Sequence, residues 1–326
     1  VRPPPSPPTP GLAPGSHSRL PVSTRGSCDS LLAVLLLLTL RAALERRPWL
    51  SGALLGCATH LRLYPLVHCL PLGLFFLAGP PAARWPRRVT SASACASGFL
   101  AAFTALGALC YRLYGARFVQ EAYLYHLGRS DPRHNFAADF YGAYLSHART
   151  AAAAAPGWAG LALRLTGGSP QAAVVGGCGW AYRRDPPAAF FFQTLCFVAL
   201  NRVITAQYFT WWMCLAPLLA PGFAAGGRGG GAVVAGSPAR RRAALAAGAW
   251  LAAQLYWLAC AAALEFGGTD DQVAADGQRD AFRTVWQASL LFLAAQALLA
   301  ATLMGAYTGR DLARGAGAQS GQMKCE

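Results

Sequence analysis

Residues 49–79 read WLSGALLGCATHLRLYPLVHCLPLGLFFLAG, one long apolar run broken by His60-Leu61-Arg62-Leu63-Tyr64-Pro65. The run is too long for a single crossing, because a bilayer core of ~30 Å takes ~20 helical residues. Proline removes a backbone donor and turns its predecessor out of helical geometry, so a break is expected at Tyr64-Pro65. Arg62 would be costly at the bilayer centre, which puts that break at an interface. Arg41, Arg46 and Arg47 precede the run, and Arg84, Arg87 and Arg88 follow it. Basic clusters mark the cytosolic side, so both flanks on that side require an even number of crossings. Two half-length helices meeting at residues 60–65 satisfy this and set Arg62 at the far, lumenal interface.

Parity carries the reading outward. Further apolar candidates lie at 30–44, 95–111, 157–182, 187–201, 206–221, 244–264 and 284–307. Residues 112–150 then fall on the lumenal side, and Arg183 and Arg184 on the cytosolic side. Asn201 to Gln207 is lumenal, whereas Arg228, Arg240, Arg241 and Arg242 are cytosolic. The acidic stretch from Glu265 to Asp280 is lumenal, and Arg310, Arg314 and Lys324 end in the cytosol. One assignment places nearly every basic cluster inside, giving an all-α polytopic membrane protein of about nine crossings, the broken pair at 49–79 included.

Composition agrees. The 326 residues are 55% hydrophobic and 13% charged, with a formal charge of +15 from 28 basic and 13 acidic side chains, and the mean hydropathy is +0.33. Soluble domains carry roughly 25% charged residues. A basic balance also suits nucleic acid, but here the arginines sit in short clusters between apolar runs, so no nucleic-acid partner is expected. The domain is read as 22–307, with a lumenal loop at 112–150, a Gly-rich cytosolic loop at 222–243 and a cytosolic tail at 308–326. The tract VRPPPSPPTPGLAPGSHSRLP at 1–21 has a composition that buries little apolar surface. It is expected to be disordered or foreign to the domain.

The cysteines form no CxxC pair and no zinc spacing, and most fall in apolar runs where a thiol serves as a small hydrophobe. His60 and His68 share a helix face but lack a third ligand, so no metal site is expected. The Gly-rich loop has no GxxxxGK[ST] pattern. No second broken helix pairs with the one at 60–65, which argues against a transporter; that reading and a noncatalytic membrane scaffold remain the alternatives.

Polar chemistry collects on the lumenal side. The densest run is YLYHLGRSDPRHNF at 123–136. It reads either as an interfacial belt with snorkelling arginines or as a pocket whose arginines pair with an anionic phosphate. Arg62, between two half-helices, is the best single phosphate candidate. Gln207-Tyr208-Phe209-Thr210-Trp211-Trp212 opens another lumenal span, as a belt or as a pocket wall. Glu265 ends the span WLACAAALEF, where a carboxylate binds substrate hydroxyls or caps a neighbour.

The segments STRGSCDS at 23–30, HLRLYP at 60–65, YLYHLGRSDPRHNF at 123–136, NRVITAQYFTWW at 201–212 and LYWLACAAALEF at 255–266 occur in this order. Together they resemble the GPI mannosyltransferase I family. The resemblance covers about 22–307 and implies a GT-C glycosyltransferase, multi-pass in the endoplasmic reticulum membrane with its active face lumenal. The implied donor is dolichyl-phosphate-mannose and the acceptor glucosaminyl-phosphatidylinositol, with or without inositol acylation. The first mannose would be added in α-1,4 linkage, and a small single-span accessory subunit is implied as partner beside the membrane lipids. A β-linked donor giving an α-linked product implies inversion by direct displacement, a carboxylate taking the acceptor proton and cations stabilising the leaving phosphate. The matched motifs mark Arg62, Arg129 and Arg133 for phosphate contact. His60, Tyr64, Tyr125, His126, His134, Asn135, Gln207, Tyr208 and Glu265 are marked for the substrate pocket. No cofactor is indicated, and a divalent-metal requirement is left open. The family carries its acidic catalytic motif, of DxD type, in a first lumenal loop preceding this region. The chain has its Pro-rich tract there, so the catalytic residue is expected upstream and this chain is expected to be N-terminally incomplete. Asp29, Asp131, Asp139 and Glu265 do not reproduce that motif, and Asp131, beside two arginines, is read as a structural partner.

Overall fold

A computed structural model describes residues 28–80, 82–125, 137–138, 169–201, 203–224, 238–266 and 274–307. Among these residues every regular element is helical. The chain order is α1 (Asp29–Leu44), α2 (Pro48–Leu61), a 3-10 turn (Tyr64–His68), α3 (Cys69–Ala78), α4 (Trp85–Tyr114) and α5 (Ala116–Val119), followed by a π-helical turn (Gln120–Leu124). Then come α6 (Ser169–Ala181), α7 (Pro186–Ala199), a 3-10 turn (Ala206–Tyr208), α8 (Phe209–Met213), a 3-10 turn (Ala216–Leu219), α9 (Ala220–Ala224), α10 (Pro238–Phe266) and α11 (Ala274–Ala306). Expectations for the tract at 1–21, the run at 126–136, the start of the 157–182 span, the middle of the 222–243 loop, residues 267–273 and the tail at 308–326 fall outside the described residues.

Among the described residues three helices are long and apolar enough to cross a membrane: Trp85–Tyr114, Arg241–Phe266 and Ala281–Ala306. Shorter apolar helices run over Tyr64–Ala78 and Pro186–Ala199. Large apolar side chains such as Leu100, Leu109 and Leu113 on α4 point away from the protein. An apolar exposed face on helices of this length suits lipid, not water, and the protein is a membrane protein with several apolar helices.

The break predicted in 49–79 is present. Helix α2 ends at Leu61, Arg62 turns extended (φ −148°, ψ 134°), and the chain resumes as a 3-10 turn led by Tyr64-Pro65 before α3. The expected span at 206–221 is not one helix. It is two short α segments and two 3-10 turns, interrupted where Pro217 and Pro221 cannot donate. The Thr210 hydroxyl and the Cys214 thiol also bond back to the carbonyls of Gln207 and Trp211, which competes with a regular ladder. The expected loop at 222–243 is shorter than read, because α9 reaches Ala224 and α10 starts at Pro238.

Helix α7 is the hub. Phe190, Phe191 and Phe192 are almost fully buried, as is nearly every other residue of the helix. A helix apolar all round belongs in an interior. Its two polar residues form a closed knot. Gln193 donates through Nε2 to the carbonyls of Val67 and Val175 (3.1 and 3.0 Å) and accepts through Oε1 from His68 Nδ1 (3.0 Å). Both amide protons of Gln193 are thereby used, which fixes Oε1 as acceptor and Nδ1 as the protonated nitrogen of His68. The His68 ring stacks on Phe190 at 4.0 Å. This knot pins the 3-10 turn after Arg62 to α6 and α7.

Helix α2 lies flush against α4. A methyl group on Gly52, Gly56 or Gly98 would run into the carbonyl oxygens of Cys95, Phe99 or Trp49. The small residues let two backbones meet, the main source of helix attraction where lipid removes the hydrophobic drive. Ser51 adds a hydrogen bond to the Thr39 carbonyl (3.0 Å), tying α2 to α1. At the other end of the chain α10 packs on α11, with Trp257 stacked on Phe292 at 5.2 Å.

Candidate functional site

The break after α2 swings Arg62 and Tyr64 toward the start of α1 and the turn before α8. Asp29 is the first residue of α1, where a negative charge suits the helix dipole. Its side chain is only 2% exposed and lies 3.4 Å from Arg62 Nη2. Trp211 donates its indole N–H to Asp29 Oδ1 (3.1 Å), and Gln207 donates its amide to Oδ2. A buried carboxylate is tolerable only when paired and hydrogen-bonded, and Asp29 has three donors from two other parts of the chain. Removing Arg62 would take a cation from a buried carboxylate, at a cost of about 3 kcal/mol.

Aromatic rings surround this pair. Tyr64 stacks on Trp211 with centroids 4.1 Å apart and planes 9° from parallel, and Tyr208 stacks on the same indole at 4.2 Å. The Arg62 guanidinium lies 5.9 Å from the Trp211 ring centroid. A cavity of about 100 Å³ opens beside the cluster, lined by Asp29, Ser30, Ala33, Tyr64, Thr210, Trp211 and Cys214. Tyr64 is 93% buried by its 7% exposure, and its hydroxyl has no hydrogen-bond partner among the described residues. The Arg62 Nε–H likewise has none, and about a third of the Arg62 side chain remains exposed. The site thus offers a cation fixed along one edge, a free hydroxyl and a flat aromatic wall. That set suits an anionic phosphate next to a sugar ring.

Four of the residues marked in the sequence, Arg62, Tyr64, Gln207 and Tyr208, are brought together. His60 is not. It sits on the last turn of α2 and faces the α4–α5 side, with Nδ1 2.9 Å from the Tyr123 hydroxyl, Nε2 3.6 Å from Cys110 Sγ and its ring beside Phe118. Only Leu61 separates it from Arg62, but the extended backbone at the break sends the two side chains to different neighbours. Tyr125 is exposed just past the π-helical turn, and Glu265 is exposed on the last turn of α10. His126, Arg129, Arg133, His134 and Asn135 lie outside the described residues. Asp29 and Trp211 were not marked for the site. Their signals were an acid heading an apolar helix and a tryptophan three residues after Tyr208.

The family model for Mannosyltransferase (PIG-M) matches residues 22–304. The chain is 35% identical over 299 residues to the GPI alpha-1,4-mannosyltransferase I catalytic subunit of Danio rerio, covering 89% of this chain and 67% of that protein. It is 33% identical over 295 residues to GPI mannosyltransferase 1 of Trypanosoma brucei brucei, covering 87% of this chain and 65% of that protein. With GPI mannosyltransferase 1 of Neurospora crassa it shares 31% identity over 309 residues, 87% of this chain and 59% of the relative. The chain therefore spans about two thirds or less of the length of these relatives. The family match takes in Asp29, Arg62, Tyr64, Gln207 and Trp211, and the chain belongs to the PIG-M mannosyltransferase family.

Proposed function

We propose that this chain is the membrane body of an inverting GPI mannosyltransferase I of GT-C type, working in the endoplasmic reticulum membrane with its active face in the lumen. The donor is dolichyl-phosphate-mannose, the acceptor glucosaminyl-phosphatidylinositol, and the product an α-1,4-mannoside. The acceptor 4-hydroxyl oxygen attacks the anomeric carbon while the bond to the lipid-phosphate oxygen breaks. An enzyme carboxylate takes the hydroxyl proton, and dolichyl phosphate departs as the anion. Arg62 stabilises the charge gathering on that phosphate, the service a fixed cation renders to a transition state. The Tyr64–Trp211–Tyr208 stack supplies a flat wall beside it.

The carrying observation is the cluster at the helix break. Three segments far apart in sequence, each inside the family match, converge on one partly exposed guanidinium held by a buried carboxylate. Arg129 and Arg133 belong to this proposal as further phosphate contacts, and His60, Tyr125, His126, His134, Asn135 and Glu265 as outer pocket residues. So do about nine crossings, read from the placement of basic residues, the sidedness of the loops at 112–150 and 222–243, and a small single-span accessory subunit. The "catalytic subunit" in the name of the zebrafish relative supports that last element.

Expression in cells lacking GPI mannosyltransferase I, with the chain standing in place of the matched region of the zebrafish relative, tests the proposal, and the same chimera serves in every activity assay below. Return of GPI-anchored proteins to the cell surface, measured by flow cytometry, is the expected result. No return, with the protein present in the endoplasmic reticulum beside its accessory subunit, would refute it.

A further inference from the structure

Among the described residues Asp29 is the only acidic side chain in the cluster above, so the direct reading would make it the base that takes the acceptor proton. The geometry assigns it otherwise: we infer that Asp29 is a positioning residue, which acts on the lipid-phosphate donor through Arg62 and never touches the reacting atoms. The inference rests on the proposed mannosyl transfer and names how that site is built.

Access argues first. The Asp29 side chain is 2% exposed, against 35% for Arg62. A base must come within hydrogen-bond reach of the proton it removes; Asp29 lines the cavity beside the cluster, but its carboxylate is nearly covered while the guanidinium is far more open. Occupancy argues second. Oδ1 faces both the Trp211 indole N–H and Arg62 Nη2, and Oδ2 accepts from the Gln207 amide. A carboxylate has roughly four lone-pair directions, and three of them are taken. A carboxylate whose lone pairs are already engaged has little room left to take up an incoming proton.

Direction argues third. Asp29 engages one edge of the guanidinium through Nη2, while the Arg62 Nε–H keeps no partner among the described residues. Arg62 is the C-cap of α2: its N–H still bonds to the Ala58 carbonyl (3.1 Å), but its extended backbone turns the side chain out of the helix. Without Asp29 its long side chain would be free to sample several rotamers. With it, the cation is aimed before the donor arrives, and preorganised charge is what makes such a group effective. Gln207 and Trp211 in turn hold the carboxylate, so the aim is passed from the turn before α8 through Asp29 to Arg62.

The test uses microsomes carrying that chimera with the zebrafish relative, with radiolabelled mannose transfer followed against the concentration of dolichyl-phosphate-mannose. Asp29→Asn raises the donor KM about tenfold or more and changes kcat by less than about threefold, because an aiming role is lost while the proton acceptor stays. The acid limb of the pH–rate profile is unmoved. Asp29→Glu recovers most of the donor KM, and Asp29→Asn with Arg62→Gln is no worse than Arg62→Gln alone, as residues acting in series require. Folded protein is compared by size-exclusion chromatography, which a merely structural role would change without this split in KM and kcat. A fall in kcat of about 10³-fold with loss of the acid limb would make Asp29 the base and overturn the inference. An additive double variant would overturn it as well. If the unsubstituted chain transfers no mannose, the mannosyl-transfer reading fails and takes the positioning role with it.

Discussion

Replacing Gly98 of α4 with alanine adds one methyl group opposite Trp49, about 20 Å along α2 from Arg62, yet it is expected to cost more activity than stability. The new methyl would run into the Trp49 carbonyl and lie 3.1 Å from the Ala53 nitrogen. Ordinary contact needs ~3.5 Å, so the two backbones must part by about 1 Å. Overpacking of this kind costs about 1–3 kcal/mol, while alanine regains about 1 kcal/mol of helix propensity over glycine. The net loss is therefore at most about 2 kcal/mol, a fall in Tm of roughly 4–8 °C at the sensitivity of a larger domain. The displacement acts on α2, whose C-terminal end carries Arg62 to Asp29. A misplacement of about 1 Å at a reacting centre can cost ~100-fold in rate. The assay is a thermal melt in detergent beside kcat/KM for labelled mannose transfer. Gly248→Ala on α10 is the control, since nothing lies within 4 Å of its added methyl. It should keep full activity and gain up to about 1 kcal/mol. If Gly98→Ala leaves both Tm and kcat/KM unchanged, the close α2–α4 contact does not set the position of Arg62, and the reasoning fails.

Tyr64→Phe removes a buried hydroxyl that has no partner among the described residues. An unsatisfied buried polar group costs about 1–3 kcal/mol, so Tm should hold or rise while kcat/KM falls by about tenfold through the lost substrate contact; a lower Tm with unchanged kcat/KM would contradict both halves. Gln193→Leu strips the donor from the Val67 and Val175 carbonyls and the acceptor from His68. It should destabilise by about 2–4 kcal/mol, read as a lower Tm, and a neutral result would show that the knot does not hold the 3-10 turn.

The helix break was legible because two local rules agreed on it: proline at 65 ends a ladder, and arginine at 62 shuns the bilayer centre. From the break, Arg62 and Tyr64 followed, and the aromatic run after Asn201 supplied Gln207 and Tyr208. Asp29 was passed over because its burial is a tertiary fact. Its neighbours in sequence are Cys28 and Ser30, and it is α8 and the turn before it that bring the indole and amide that make its charge tolerable. Trp211 read as a belt residue for the same reason, since composition cannot tell a lipid-facing ring from one stacked between two tyrosines. His60 lies two positions before Arg62, and the extended backbone at the break turns it to other neighbours, which spacing alone does not show. The span at 206–221 failed as one helix because apolar content outweighed the warning of Pro217 and Pro221. The Gly52–Gly56 spacing in α2, a small-xxx-small face, was legible too but was read only as part of an apolar run.

The claim on which the rest depends is that the Arg62 guanidinium at the break binds the donor phosphate. Its most direct measurement is transfer of labelled mannose from dolichyl-phosphate-mannose to glucosaminyl-phosphatidylinositol, comparing the chain with its Arg62→Gln and Arg62→Lys forms at matched levels of folded protein. Loss of a charge-assisted contact of about 3 kcal/mol predicts a fall of about 100-fold or more in kcat/KM for the donor in the glutamine form. Lysine should restore part of it, because it keeps the charge but not the planar fork. Equal kcat/KM in the chain and its Arg62→Gln form would contradict the account.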